Sequence, residues 1–384
     1  MPTFNRLRPN AADPLFGDAP PPSAAPLPPS KLLSEYAPPS YDNEKELLKH
    51  RFLCRGGGAL LVGSTGAGKS SFIMQCAMLW ALGKPAFGIE PARPLKILII
   101  QAENDEDDLF EEMDGVREGL GLTAEEWARA SNSVRVRHEN SHSGPDFFEK
   151  VIRPLLAEWR PDLLSIDPAL SYLGGETNSQ AHVGAFLRNK LNPLITDFDC
   201  GVIVNHHTNK PPSGEDKTGW TDSQMAYAGA GSAEWANWAR AVLVLRSTKV
   251  YGQFDLIAAK RGARLRWRDE EGETLTFQRQ IRHSRLEGQI CWFEMTAGEV
   301  AEAARSATVN RSLSDEEDVF AMLPEVGSVE KKALLATAGG QGISKLRAEA
   351  AITRLVQEGR AHIWEVERRA VRNAIHLSRH PQQG

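Results

Sequence analysis

A glycine-rich segment offers the first chemistry in this 384-residue chain. Residues 63–70, Gly-Ser-Thr-Gly-Ala-Gly-Lys-Ser, fit the pattern GxxxxGK[ST], follow the apolar run Ala59–Val62 and precede a helix-like stretch to Leu82. Backbone N–H groups in such a turn, and at the start of the following helix, bind phosphate oxygens. The complete pattern between a strand and a helix therefore predicts a nucleotide site rather than a glycine turn without a ligand. The residues expected to bind the nucleotide are Gly63, Ser64, Thr65, Gly66, Ala67, Gly68, Lys69, Ser70 and Ser71.

Two side chains of this segment are expected to act on ATP and Mg²⁺ directly. Lys69 would reach the β- and γ-phosphates, and the Ser70 hydroxyl would bind Mg²⁺. Asp167 caps the hydrophobic strand Leu163–Ile166, which has the shape of a Walker B element. A carboxylate at this position orients a water of the Mg²⁺ shell. The sequence thus predicts Ser70 and Asp167 as the magnesium residues.

Polar side chains also end two other predicted strands. Glu103 follows the apolar run from Leu95, where a carboxylate can orient and deprotonate an attacking water. The alternative is that Glu103 stabilises a helix N-terminus together with the acidic residues 105–108. His206 and His207 end the strand that begins at Gly201, where they could sense a γ-phosphate or form a hydrogen-bonded pair that stabilises the fold.

Strand-like and helix-like segments alternate around these residues. The alternation predicts an α/β fold with a mostly parallel sheet covered by helices on both faces, within a domain of residues 41–296. A short helical stretch is expected at 43–48, and residues 265–295 are expected to form short antiparallel strands with a basic, solvated face. The predicted strands of the main sheet are Ala59–Val62, Leu95–Ile100, Val134–Val136, Leu163–Ile166, Val202–Val204, Ala241–Leu245 and Phe254–Ala259.

Composition narrows the class of protein. Hydrophobic residues make up 41% and charged residues 25% of the chain, which is typical of a globular protein. No apolar run is long enough to span a bilayer and no signal peptide is recognisable, so we expect a cytoplasmic protein without a membrane partner. The four cysteines are dispersed, which predicts reduced thiols without a metal cluster. A net charge of −5 argues against a uniformly basic nucleic-acid binder.

The two ends of the chain differ from the predicted core. Residues 1–40 are rich in proline and alanine and are expected to form a disordered arm. Residues 297–314 are interpreted as a linker. Residues 315–384 show three helical patterns followed by a β-hairpin pattern, the order of a winged helix-turn-helix, in which Lys345, Arg347 and Arg354 would face a DNA groove. Such domains also bind proteins, so both roles stay open.

In order and spacing, these motifs resemble the RecA-like ATPases of the plasmid RepA replicative helicase family. The resemblance covers about 41–264 and rests on residues 63–70, Gln101-Ala102-Glu103, Ile166-Asp167-Pro168 and residues 205–210. It implies a RecA-like P-loop NTPase core, Glu103 as the catalytic base, and His207, less clearly His206, as the γ-phosphate sensor. Ala230 departs from the family, which has an arginine just before the Gly-Ser pair that corresponds to Gly231-Ser232.

The resemblance also implies cations that act on a neighbouring subunit. Arg240 would be an arginine finger, and Lys260-Arg261 resembles the lysine and arginine that hexameric RecA-like motors insert between subunits. A cation supplied by a neighbour stabilises charge on the transferring phosphoryl group. We expect at least one of the two sites to act in this way. Arg240 could alternatively solvate a helix end.

Two function classes follow for the whole chain. The first is an ATP-hydrolysing motor on single-stranded DNA, most simply a hexameric replicative helicase of a plasmid, phage or integrated element with replication or recombination partner proteins. The long segment 210–230 would face the channel of such a ring, with lysines tracking phosphates and an aromatic residue stacking on bases, or would be a lid that docks on its own domain. Its candidates are Lys210, Lys217, Trp220 and Tyr227. The second class is a non-translocating regulatory or recombination ATPase that its C-terminal domain recruits to DNA or protein.

Overall fold

The computed structural model of the chain describes residues 30–38, 43–208, 226–227, 229, 231–367 and 373–381. It divides into two compact units, Met1–Thr296 and Ala297–Gly384. Most of the predicted arm 1–40 and most of the segment 210–230 lie outside the described residues. In the described part of the chain, no helix combines the length and the apolar character needed to cross a membrane.

The first unit is built around a nine-stranded sheet that follows a small hairpin. The hairpin strands are β1 (Glu46–Leu48) and β2 (Leu53–Cys54). The strands of the sheet are, in chain order, β3 (Gly58–Gly63), β4 (Ile97–Gln101), β5 (Val134–His138), β6 (Leu163–Asp167), β7 (Gly201–His207), β8 (Ala241–Ser247), β9 (Gln253–Lys260), β10 (Gln278–His283) and β11 (Trp292–Glu294). Their spatial order is β11-β10-β9-β8-β3-β7-β6-β4-β5.

The strand order explains where polar side chains collect. Strands β8, β3, β7, β6, β4 and β5 run parallel, and β9 to β11 extend the sheet antiparallel. The residues of β3, β4 and β6 are all buried, because helices cover both faces of a parallel sheet. The carboxyl ends of β3, β4, β6 and β7 consequently meet at one edge. A mixed α/β unit with a large, mostly parallel sheet fits a P-loop ATPase core.

The covering helices follow the strands closely. α1 (Lys69–Ala81), α2 (Glu106–Leu120) and α3 (Ala124–Ser133) lie between β3 and β5. α4 combines Gly144–Asp146, a π-helical turn Phe147–Ile152 and Arg153–Trp159, and α5 is Ala169–Tyr172. α6 combines Gln180–Gly184, a second π-helical turn Ala185–Leu191 and Asn192–Asp197, and α7 is Glu234–Trp238. The sequence pattern did not predict α3.

Two local predictions differ from the structure. Residues 43–48, predicted to be helical, end in strand β1, because Leu47 and Leu48 are buried by the pairing with β2 and by packing in the core. Within 265–295, the clearest strands were expected at Thr274–Phe277 and Gln289–Phe293. The first lies instead at β10, whereas β11 overlaps the second at Trp292 and Phe293. Ile281 and Trp292 are buried there, so this hairpin is part of the core and not only a solvated face.

The described residues of the second unit form three helices and a small sheet. Its elements are α8 (Ala297–Ala321), β12 (Val329–Glu330), α9 (Lys331–Gly340), α10 (Lys345–Gln357), β13 (His362–Val366) and β14 (Ala374–Ser378). The segment 297–314, interpreted as a linker, is helical and continues into the unit as α8. Its alanine-rich composition explains this result, because alanine has the highest helix propensity.

The basic residues predicted to face DNA are partly engaged within this unit. Arg347 donates from Nε to Asp315 Oδ2 at 2.8 Å, and Arg354 Nε lies 2.7 Å from Glu316 Oε1. Asp315 and Glu316 are themselves buried. At least these two arginines therefore neutralise carboxylates of α8. The predicted β-hairpin also contains Arg368, Arg369 and Arg372, which lie outside the described residues.

Candidate active site

A pocket lies at the carboxyl ends of β3, β4, β6 and β7, beside the N-terminus of α1. Most of the predicted site residues line it together, although they are far apart in the sequence. Those lining residues are Thr65, Gly66, Gly68, Lys69, Ser70, Ser71, Glu103, Asp167 and His207. Of the other expected nucleotide residues, Gly63 ends β3, and Ser64 and Ala67 belong to the turn itself.

The turn has the backbone conformation that a phosphate-binding loop needs. Gly68 caps α1 with φ 78°, a left-handed conformation that favours glycine. Lys69 is buried, and its Nζ donates to the carbonyl oxygens of Gly63 at 3.1 Å and Ser64 at 3.0 Å. Burial lowers the pKa of Lys69, while the charges of Asp167 and Glu103 raise it. The ammonium group is thus held inside the loop, where a phosphate would bind.

His207 connects this lysine to the opposite wall of the pocket. Its Nδ1 lies 3.2 Å from Lys69 Nζ and 3.3 Å from Thr65 Oγ1, and its Nε2 lies 4.0 Å from Glu103 Oε1. Because an ammonium group can only donate, Nδ1 accepts, and the ring proton is on Nε2, toward Glu103. Burial and the Lys69 charge lower the pKa of His207, which keeps the ring neutral. The side chain is placed to respond to both Lys69 and Glu103.

His206 points the other way, because successive residues of a strand face opposite sides of the sheet. It is fully buried, and its ring stacks on Trp235 with a centroid distance of 4.5 Å. The structure places His207, but not His206, among the residues that line the pocket. Of the two histidines that the sequence left open, only His207 is in a position to meet a phosphate.

The carboxylates differ in environment. Asp167 is 5% exposed. Burial raises its pKa, and the neighbouring Ser70 and Asn205 side chains and Lys69 lower it. Glu103 is exposed, with 61% of its side-chain surface accessible. The buried carboxylate of Asp167, beside the Ser70 hydroxyl, is suited to binding a metal ion. The accessible carboxylate of Glu103, at a strand tip, can reach a water at the phosphate.

The side chains present fit Mg²⁺. Ser70 and Asp167 offer hard oxygen atoms side by side, and Mg²⁺ is usually held by one or two carboxylates together with waters and substrate phosphates. Within the described residues, no three His, Cys, Asp or Glu side chains form a metal-binding group. A bound Mg²⁺ would neutralise charge on the β- and γ-phosphates. Ser70 and Asp167 would hold it, and Lys69 would bind the phosphates.

Five lining residues were not predicted. Four of them come from the β4–α2 connection and α2, and the fifth lies just before β11: Asn104, Asp108, Glu111, Glu112 and Ile290. Glu112 is the one acidic residue of α2 that is buried, at 7% exposure. Its position three and four residues before the buried Gly115 and Val116 places it on the core-facing side of the helix, which is an unusual place for a carboxylate. That pattern could have identified it.

The β10–β11 hairpin supports the phosphate loop from below. Trp292 donates from Nε1 to Ser71 Oγ at 3.1 Å, and the Ser71 hydroxyl donates to Gly68 O at 3.0 Å. Gln75 of α1 forms two hydrogen bonds with the backbone of Trp292, at 2.9 and 2.8 Å. A Cβ on Gly68 would lie 2.9 Å from the Trp292 ring and 3.0 Å from His283 Nε2. The loop therefore rests directly on Trp292 and His283.

The predicted trans cations lie at the opposite edge of the sheet. The Arg240 N–H donates to Gly58 O, at the first residue of β3, so Arg240 is about 16 Å from Gly63 along the strand. Lys260 ends β9 at the same edge, where it pairs with Val242. Neither residue can reach the phosphate loop of its own chain. A role in hydrolysis would require a second copy.

Their environments separate the three cations. Lys260 donates to the carbonyl oxygens of Ala236 at 2.9 Å and Ala239 at 2.5 Å, so it stabilises the C-terminal end of α7. Arg261 donates to the Arg51 carbonyl at 3.0 Å. Arg264 donates to the neighbouring His50 carbonyl at 2.9 Å. Burial and the charges of Arg264, Arg240 and Arg51 lower the pKa of Arg261. Arg240 and Arg261 thus belong to a basic cluster, and Lys260 is engaged by its own chain.

The channel candidates are only partly described. Lys210, Lys217, Trp220 and Ala230 lie outside the described residues. Tyr227 is 52% exposed, and its hydroxyl donates to Asn237 Oδ1 at 3.1 Å. This bond ties Tyr227 to α7 of its own domain.

Part of the chain is similar to a known protein family. No curated protein matches the chain. Residues 26–213 match the family model of an AAA domain, a range that contains the phosphate loop, Glu103, Asp167 and His207. Arg240, Lys260, Arg261 and the β10–β11 hairpin lie beyond it. The match supports the assignment of this region to the P-loop ATPases of the AAA type.

Proposed function

We propose that the protein is an ATP-hydrolysing, RecA-like motor that acts on DNA, most simply a hexameric replicative helicase of a plasmid, phage or integrated element. The observation that carries the proposal is the separation of the two halves of the site. The phosphate loop with Glu103 and His207 lies at one edge of the sheet, and the basic cluster with Arg240 and Arg261 lies at the other. A ring that brings one edge against the other completes each site with a neighbour's arginine.

The chemistry follows from the positions of the pocket residues. Lys69 and the backbone of residues 63–71 bind the phosphates, and Ser70 and Asp167 hold Mg²⁺. Glu103 accepts the proton of the attacking water, for which its exposed carboxylate is suited. His207 contacts Lys69 on one side and approaches Glu103 on the other, so loss of the γ-phosphate changes the surroundings of the histidine at the end of β7. β7 leads into the segment 210–230, which would carry the change to single-stranded DNA.

A second candidate is a non-translocating regulatory or recombination ATPase. The ion pairs of Arg347 and Arg354 with Asp315 and Glu316 favour it, because cations neutralised within the C-terminal unit contribute less to DNA binding. In that case the winged-helix-like unit would bind a protein partner. The net charge of −5 points the same way.

One experiment separates the two candidates. ATP hydrolysis is measured with and without a single-stranded oligonucleotide, and the mass of the assembly is measured by light scattering with and without ATP. A motor should form a ring and hydrolyse ATP at least several-fold faster with the oligonucleotide. A Lys69→Ala variant is the control, because it should remain folded and lose turnover. If the protein is a monomer or dimer and hydrolyses ATP at the same rate with and without DNA, the motor is ruled out and the regulatory ATPase remains.

A further inference from the structure

Glu112 of α2 is a buried acidic side chain with an incomplete set of hydrogen bonds. It is 7% exposed. Its Oε2 accepts a hydrogen bond from Asn104 Nδ2 at 3.0 Å, whereas its Oε1 has no hydrogen-bond partner within the described residues. A buried carboxylate oxygen without a donor is unfavourable, because it has lost its hydrogen bonds to water and no protein donor replaces them. We therefore expect a bound ligand to supply the hydrogen-bond donor for Glu112 Oε1.

The surroundings of Glu112 indicate what that ligand is. Glu112 lines the same pocket as Ser70 and Asp167. Two carboxylates that share a site repel each other when both are ionised, and a cation between them removes the repulsion. Other acidic residues of α2, such as Asp108 and Glu111, are exposed at the mouth of the pocket and solvated. Only Glu112 is turned inward, so its place is not explained by stabilisation of the helix N-terminus.

We propose that Glu112 is a second carboxylate of the Mg²⁺ site, which binds the metal through a metal-bound water that donates to Oε1, while Asn104 holds Oε2. The role rests on the nucleotide site proposed above. A water-mediated contact agrees with the lack of a three-residue metal-binding group within the described residues. It also suits Mg²⁺, which retains several of its waters in protein sites. Groups that orient such waters typically change metal affinity by about 10- to 100-fold.

The test compares nucleotide binding with and without the metal. The affinity for a fluorescent N-methylanthraniloyl derivative of ADP is measured in Mg²⁺ and in EDTA, for the wild type, Glu112→Gln and Glu118→Gln. Glutamine keeps an oxygen for Asn104 and nearly the same volume. In Glu112→Gln we expect an unchanged affinity in EDTA and a gain from Mg²⁺ that is about tenfold smaller than in the wild type. Glu118→Gln, which changes an exposed carboxylate of α2 outside the pocket, should behave as the wild type.

The outcomes are separable. An equal gain from Mg²⁺ in Glu112→Gln and the wild type would overturn the proposal while leaving the nucleotide site intact. A wild type that binds the probe in neither buffer would overturn the proposed function, and the role of Glu112 with it. Asn104→Ala gives an independent variant if Glu112→Gln does not fold. It should reduce the gain from Mg²⁺ relative to the wild type, because Glu112 loses the donor that holds its Oε2, and an unchanged gain would contradict the proposal.

Discussion

Lys69 and His207 are 138 positions apart in the sequence, and their Nζ and Nδ1 atoms are 3.2 Å apart in the pocket. The contact joins the phosphate loop to the tip of β7. A γ-phosphate that draws the Lys69 ammonium group to itself would remove this donor from His207. Under the proposed function, His207 would report whether the phosphate is present.

His207→Ala should slow ATP hydrolysis by about 10-fold or more while changing the affinity for ATP by only a few fold, because the variant removes the contact to Lys69 and leaves the loop backbone in place. Steady-state hydrolysis and nucleotide titration measure the two effects. His206→Ala is the matched control. It should instead lower the free energy of unfolding by about 2 kcal/mol or more, since it leaves a cavity beside Trp235. If both variants lost only stability, His207 would be structural.

Glu103→Gln should bind ATP and fail to hydrolyse it, with turnover lowered by about 10²-fold or more, because the amide cannot accept the proton of the attacking water. The exposure of Glu103 predicts that thermal stability is unaffected. Trapped ATP after rapid gel filtration and single-turnover hydrolysis are the measurements. A collapse of ATP affinity in this variant would assign Glu103 to the metal or to the structure instead.

Gln75→Leu should lower the free energy of unfolding by about 2–5 kcal/mol, because it leaves the buried N–H and C=O of Trp292 without their partners. Trp292→Phe removes the indole donor to Ser71 and also leaves a cavity beside Phe72, Phe254 and His283, so it should cost about 2 kcal/mol or more. Chemical denaturation measures both. If the hairpin supports the phosphate loop, both variants should also weaken ADP binding. Unchanged ADP affinity in a destabilised variant would show that the hairpin contributes stability alone.

The sequence predicted the residues that end strands and missed those that depend on packing across the chain. Apolar runs followed by Glu103, Asp167 and His207 identify the active edge, because parallel strands end at the same side of a sheet. The Ser71–Trp292 bond joins residues 221 positions apart, and no local pattern announces it. Glu112 was missed because α2 begins with many acidic residues, and the sequence does not distinguish the one that faces inward from those that are exposed. The sequence alone could not show that the phosphate loop and Arg240 lie at opposite ends of β3, because this follows from the register in which β3 pairs with β8.

The pH dependence of stability should reveal the burial of His283 beneath the phosphate loop. Burial lowers the pKa of His283 below its usual 6.5, while a backbone hydrogen bond at Ala67 raises it. The unfolded chain then takes up the proton more readily than the folded one, so stability is complete above about pH 6.5 and falls as the pH drops below it. Thermal unfolding without nucleotide, from pH 8 to 5.5, should show a smaller fall for His283→Gln than for the wild type. His207 contributes in the same direction to both proteins, and parallel curves would mean that His283 does not titrate.

If the arginines of the basic cluster act on a neighbouring site, a mixture of two inactive variants should regain ATP hydrolysis. Because Arg240 lies about 16 Å along the sheet from Gly63, Arg240→Ala should abolish hydrolysis only through a neighbour's site. Mixing Arg240→Ala with Lys69→Ala should then restore part of the activity, since an interface in a mixed ring can pair an intact loop with an intact arginine. Arg261→Ala should give the same rescue if it also crosses the interface.

Lys260→Ala is the control that the structure provides for this mixing experiment. Its ammonium group is held by the carbonyl oxygens of Ala236 and Ala239, so the variant should lower stability and not be rescued by Lys69→Ala. The specific activity of the wild type should rise with protein concentration as the ring forms, because each site needs two chains. If Lys260→Ala were the variant that is rescued, Lys260, and not Arg240 or Arg261, would be the cation that acts on the neighbouring site. Full activity at concentrations where the protein is a monomer would exclude a shared site altogether.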